Sequence, residues 1–109
     1  MSSEMIRRTQ QRHDIRLPVD FSHEGKSFQG QSRNISLGGM FIETTASLPF
    51  GGIVTVKFAI PSLKEPIEVQ SEIRWIENKD GVAEGIEVKF RGLRAKHVWA
   101  LNKFFAQQS

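Results

Sequence analysis

The 109-residue sequence contains no cysteine, which excludes disulfides and thiolate chemistry. No apolar run approaches the roughly 18 residues that a membrane span requires, so no membrane insertion is expected. The opening MSSEMIRRTQQR carries no apolar segment of the kind that directs secretion. A reducing cytoplasm is therefore the expected setting. There is no internal repeat and no low-complexity segment. The three histidines, His13, His23 and His97, are scattered without metal-ligand spacing and read as ordinary surface or boundary residues. Gly25-Lys26-Ser27 has the ending of a phosphate-binding P-loop, but the first glycine of that motif would fall on Asp20. Ser36 lacks the Gly-x-Ser-x-Gly setting of a hydrolase nucleophile and has no evident base. These absences leave no enzyme, no metal and no cofactor to expect. They point to a binding module.

Hydrophobic residues make up 39% and charged residues 25%, a mixture that suits one soluble domain with a modest core. The net charge is only +3, yet the pI is about 9.6, and the distribution is uneven. Four of the eight arginines, Arg7, Arg8, Arg12 and Arg16, fall within the first 16 residues, whereas Glu65, Glu68, Glu72, Glu77 and Asp80 gather later. The pattern describes a mixed-charge body with a cationic arm.

Residues 1–12 are polar and unperiodic, an arm that stays flexible until something holds it, and residues 13–109 form the folded body. Ile15, Leu17, Val19 and Phe21 alternate with polar neighbours as a half-buried strand. A turn at His23-Glu24-Gly25-Lys26 leads to a second strand over 27–36, weakened by Gly30, and a third runs from Met40 to Thr44. Val54, Val56, Phe58 and Ile60 share a face, as do Ile67, Val69, Ile73 and Trp75. The Asn78-Lys79-Asp80-Gly81 turn precedes a last strand through Ile86, Val88 and Phe90. From about Leu93 the period changes, and Val98, Leu101 and Phe105 define a helical face with Trp99 and Phe104 beside it. Trp99 is expected to pack in the core. Six short strands and a terminal helix imply an all-β fold, a small antiparallel barrel or sandwich with the helix over one opening.

Two motifs carry the candidate chemistry. Arg8-Thr9-Gln10-Gln11-Arg12, with Arg7 before it, is an Arg-x-x-x-Arg arm, and arginine suits a planar grip on phosphate or a base edge. Arg12 to Arg16 has the same spacing, but Arg16 is expected on the solvent face of the first strand. Asn34-Ile35-Ser36-Leu37-Gly38-Gly39 is an Asn-x-Ser-x-x-Gly motif. On a strand it would place the Asn34 amide and Ser36 hydroxyl on one side. Gly39 can admit a ligand to the backbone or take positive φ.

Together and in this order the motifs resemble the PilZ domain family, bacterial receptors for cyclic di-GMP built on a six-stranded barrel. Leu17-Pro18-Val19, Gly38-Gly39-Met40-Phe41, Ile73-Arg74-Trp75 and Gly85 to Phe90 extend the resemblance over residues 6–105. Glu87 stands where the family often has glycine. The resemblance implies a six-stranded antiparallel barrel with a flexible N-terminal arm and one C-terminal helix. It implies a bacterial cytoplasmic receptor that binds cyclic di-GMP, orders its arm and signals to a downstream protein. The implied ligand set is Arg7, Arg8, Arg12, Asn34, Ser36, Gly38, Gly39 and Trp75, in which Trp75 is either core or a surface for guanine. A guanidinium can bind guanine O6 and N7, stack on the base or clasp a phosphate. A PilZ-like domain that binds only proteins is the first alternative. An RNA or single-stranded DNA binder is the second, disfavoured because no aromatic ladder is present.

Overall fold

Alternation of apolar and polar residues drives most of the chain into strands, and a computed structural model describes residues 11–108. The strands are β1 (Pro18–His23), β2 (Lys26–Ile35), β3 (Gly39–Glu43), β4 (Ile53–Phe58), β5 (Ile67–Lys79) and β6 (Val82–Arg91), followed by helix α1 (Ala95–Gln107). They pair antiparallel in the order β1-β2-β3-β6-β5-β4 and close into a barrel. Both expected tight turns are present. Glu24-Gly25 and Asp80-Gly81 have positive φ at both central residues, the geometry that suits the right-handed twist of a two-residue hairpin.

Val19, Phe21, Val54, Val56, Ile73, Ile86 and Val88 fill the barrel, and Ala100, Leu101, Phe104 and Phe105 of α1 close one end. The helix turns slightly differently from the expectation. His97 is buried with Ala100, Leu101, Phe104 and Phe105, whereas Trp99 is 61% exposed, with the Lys103 ammonium 5.2 Å from its ring centroid. Trp99 is therefore a surface residue and His97 is not. A 3.6-residue period starting at His97 reaches Leu101 and Phe104, and Trp99 points the other way.

The first strand starts later than the alternation suggests. Ile15 is buried in the core, but regular pairing begins at Pro18. Residues 13–17 are instead fastened to the second half of β2. His13 and Ile35 exchange both backbone hydrogen bonds at 2.9 Å. The buried Ser32 hydroxyl donates to the Ile15 carbonyl at 2.7 Å and accepts from the Leu17 amide at 2.8 Å. The His13 ring stacks on Phe105 of α1, with centroids 4.2 Å apart and planes 16° from parallel. This seam ties the base of the arm to both barrel and helix.

Two bulges set the outer surface. Pairing slips between Ser32 and Asn34 opposite β3, and between Ile73 and Trp75 opposite β6. Arg33 and Arg74 are the extra residues. A bulge adds one residue to one strand and re-aims the side chains after it. Trp75 therefore leaves the Ile67–Ile73 face and is 62% exposed, while Ile76 packs on the core in its place. Of its two expected positions, the core is excluded.

Candidate functional site

The bulges bring four residues from four strands into one transverse row on the outside of the barrel. Asn34 lies opposite Phe41, Phe41 opposite Glu87, and Glu87 opposite Trp75. Residues facing one another across neighbouring strands sit about 4.5–5.5 Å apart, so the row is continuous. Phe41 faces outward and lies flat because there is room for it: a Cβ on Gly85 would come within 2.4 Å of its ring. The Arg33 guanidinium covers the ring from above at 4.3 Å, a cation–π contact that leaves Phe41 only 6% exposed.

Arg12 reaches this row because the His13–Ile35 bridge fixes the residue after it beside the end of β2. Its guanidinium donates to Asn34 Oδ1 at 2.6 Å and to the Glu87 carboxylate. Three of the residues singled out by sequence, Arg12, Asn34 and Trp75, thus share one face with Glu87 among them. Arg7 and Arg8 lie outside the described residues.

Ser36, Gly38 and Gly39 lie at the edge of this face and engage one another. β2 ends at Ile35, so Ser36 belongs to the connection rather than to a strand face shared with Asn34. Its buried hydroxyl accepts the amides of Gly38 at 3.1 Å and Gly39 at 3.2 Å. The Ser36 amide donates to the Gly39 carbonyl at 2.8 Å. Gly38 holds the end of β6 through its carbonyl, which accepts from the Phe90 amide at 2.8 Å. Gly39 does not have positive φ. A Cβ there would lie 2.0 Å from the Val88 carbonyl oxygen, so the missing side chain admits the backbone of β6.

A second charged group flanks the row. Glu43 receives Arg16 at 2.9 Å and Arg33 at 2.9 Å, and Arg33 also lies 3.6 Å from Glu77. Hydrogen bonds from Arg33 and then Arg16 hold the Glu43 carboxyl below its usual range. The hydrogen bond to Glu43 likewise raises Arg33 above the ordinary guanidinium value. Arg16 is exposed, as the sequence suggests, and is occupied by this pair. The motifs do not mark Arg33 as part of the site. Its position beside Asn34 is the only hint, because the bulge that turns it outward depends on the partner strand.

Among the described residues no group of three or more His, Asp or Glu side chains is placed to hold a metal ion, and no helix is long and apolar enough to cross a membrane.

The sequence profile of the PilZ domain matches residues 6–107. No curated protein sequence matches the chain at a significant level. Among solved structures, the Bacillus subtilis inhibitor of motility MotI/DgrA aligns with a TM-score of 0.77 at 22% identity, over 89% of this chain and 48% of that one. The PilZ domain of CeSA from a cellulose-synthesizing bacterium aligns with a TM-score of 0.66 at 13% identity, over 91% of this chain and 99% of that one. MrkH of K. pneumonia in its apo state gives 0.66 at 14% identity, over 92% and 49%. The chain spans about half the length of the MotI/DgrA and MrkH chains. At such identities the likeness shows a common fold, and function has to be argued from the site. With the profile match running over residues 6–107, the chain belongs to the PilZ domain family.

Proposed function

We propose that this chain is a receptor for cyclic di-GMP that binds on the outer face of β2, β3, β6 and β5 and passes the signal to a protein partner. The observation that carries the reading is the convergence of Arg12, Asn34 and Trp75 on one face, although 63 positions separate Arg12 from Trp75. Cyclic di-GMP presents two guanines and two phosphates. Trp75 offers an exposed ring on which a guanine can stack, worth about 1–3 kcal/mol for base–aromatic contacts. Arg12 offers a fork for a phosphate or for guanine O6 and N7. Asn34 supplies an amide that can both donate and accept. Ser36, Gly38 and Gly39 act by shaping the β2–β3 connection beside the ligand.

Arg7 and Arg8 are assigned to the ligand by the family pattern. Their closing over it would order the arm, so part of the interaction energy goes into fixing that segment. The ordered arm then presents a new surface to a partner. One of the aligned proteins is described as an inhibitor of motility, which is consistent with a regulator that acts through another protein. The role is binding, not catalysis, and the setting we assign is the bacterial cytoplasm.

Calorimetric titration with cyclic di-GMP tests the assignment and gives stoichiometry at once. Arg8→Ala and Arg12→Ala should each lose about 1.5–3 kcal/mol, roughly ten- to hundredfold in affinity. Unchanged affinity in both would remove the arm from the site. No heat from the unaltered protein at tens of micromolar ligand would leave a domain that binds proteins only.

A further inference from the structure

Three guanidinium groups on this face are already paired with carboxylates. Arg16 and Arg33 are held by Glu43, and Arg12 by Glu87. The last pair differs in kind. Glu43 links neighbouring parts of the folded barrel, whereas Glu87 holds a residue of the arm. Glu87 also stands at the centre of the row, directly opposite Phe41 on one side and Trp75 on the other. A base stacked on Trp75 with its phosphate gripped by Arg12 has to occupy the space above Glu87.

We propose that Glu87 is a competitor built into the site: without ligand its carboxylate holds Arg12, and cyclic di-GMP binds by displacing it. The inference rests on the receptor reading above. A carboxylate and a phosphodiester both accept from a guanidinium in nearly the same geometry, so the two compete for the same N–H groups. The Arg12 side chain is 42% exposed and that of Glu87 23%. Ion pairs this open to water are weak and break readily, which suits a group that yields to ligand. Once displaced, the carboxylate remains beside the bound phosphates and repels them. Glu87 thereby raises the ligand concentration at which the site fills. It also keeps the base of the arm against Asn34 while the site is empty.

The test is calorimetric titration of cyclic di-GMP into the unaltered protein, Glu87→Gln, Glu87→Gly and Glu68→Gln. Glu68 lies opposite Lys57 in the β4–β5 pairing and away from Arg12, so its variant reports the same change in net charge without touching the pair. Glu87→Gln and Glu87→Gly should bind roughly two- to tenfold more tightly than Glu68→Gln. Thermal unfolding of each variant checks that the barrel is intact, and Glu87→Gln, nearly isosteric, guards against a folding defect in Glu87→Gly. Binding by the Glu87 variants alone supports the proposal in its strongest form. Affinity equal to that of Glu68→Gln would overturn it and leave the receptor reading standing. Weaker binding would also overturn it, and would make the carboxylate a direct acceptor for the guanine N1–H and amino group. Absence of binding in all four proteins refutes the receptor reading, and the competitor with it.

Discussion

Ser32→Ala isolates the seam that holds the base of the arm. The Ser32 hydroxyl is fully buried, donates to Ile15 at 2.7 Å and accepts from Leu17 at 2.8 Å. Each bond contributes about 1 kcal/mol net, and a buried donor left without a partner costs about 1–3 kcal/mol. Truncation strands the Leu17 amide, which has only this acceptor in the seam, so a loss of about 1.5–3 kcal/mol is expected. For a domain of this size 1 kcal/mol corresponds to about 4–8 °C in Tm, so a 2 kcal/mol loss lowers Tm by roughly 8–16 °C. Ser71 provides the control. It is equally buried, but its hydroxyl lies 3.5 Å from the Val69 carbonyl, beyond good hydrogen-bond geometry. Ser71→Ala should therefore cost less than about 1 kcal/mol. Urea unfolding of the two variants makes the comparison, and amide exchange localises it: His13 and Ile35, whose amides each donate to the other's carbonyl across the seam, should exchange faster in Ser32→Ala alone. Equal stability of the two variants would refute the reasoning.

Gly39→Ala should lose about 3 kcal/mol or more by urea unfolding, because its new methyl meets the Val88 carbonyl oxygen at 2.0 Å, a backbone atom that can yield only if β3 and β6 separate. Burial first, and then Lys96 and Arg94, hold His97 below the ordinary histidine value. Its stabilising effect is therefore complete above the unfolded value of about 6.5 and is lost as pH falls through the lower folded value; unfolding midpoints of His97→Gln between pH 7 and 5 should decline less than those of the unaltered protein. Leu101→Ala should cost about 2–5 kcal/mol, and Trp99→Ala less than about 1 kcal/mol, since the tryptophan is exposed, with the Lys103 ammonium beside its ring. Trp75→Ala should leave stability within about 0.5 kcal/mol but weaken cyclic di-GMP binding by about 1–3 kcal/mol, as calorimetry beside thermal unfolding will show.

The strands were legible because their alternation is strong, and both hairpin turns because Glu24-Gly25 and Asp80-Gly81 have the chemistry such turns require. The phase of α1 was less so. Val98, Leu101 and Phe105 describe a plausible face, yet the barrel mouth selects one rotated by a fraction of a turn, which takes in His97 and excludes Trp99. The bulges were invisible. Ile73-Arg74-Trp75 continues a perfect period of two, and nothing within β5 shows that Val88 and Glu87, adjacent on β6, will face Ile73 and Trp75. Register belongs to a pair of strands. The Asn-x-Ser-x-x-Gly spacing located the right connection, but the sequence could not show that the Ser36 hydroxyl and the Gly39 backbone turn toward the protein itself. The Arg12–Glu87 contact was hidden for a similar reason, because the two residues are 75 positions apart.

Closure of the barrel also limits how another protein can recognise this one. Each of the six strands has a neighbour on both sides over part of its length, which leaves, among the described residues, short stretches paired on one side alone, such as 26–30 of β2 and 74–79 of β5. Closure thus shortens the ladder on which a partner could add a strand of its own, the route by which open sheets capture extended peptides. Over the rest of the barrel a partner reads side chains, and which of them are presented depends on what lies across the outer row. A ligand and an arm folded over Asn34, Phe41, Glu87 and Trp75 would exchange one set of surface groups for another while the backbone beneath stays fixed. In such a molecule the message would be carried by a change of surface on a rigid frame.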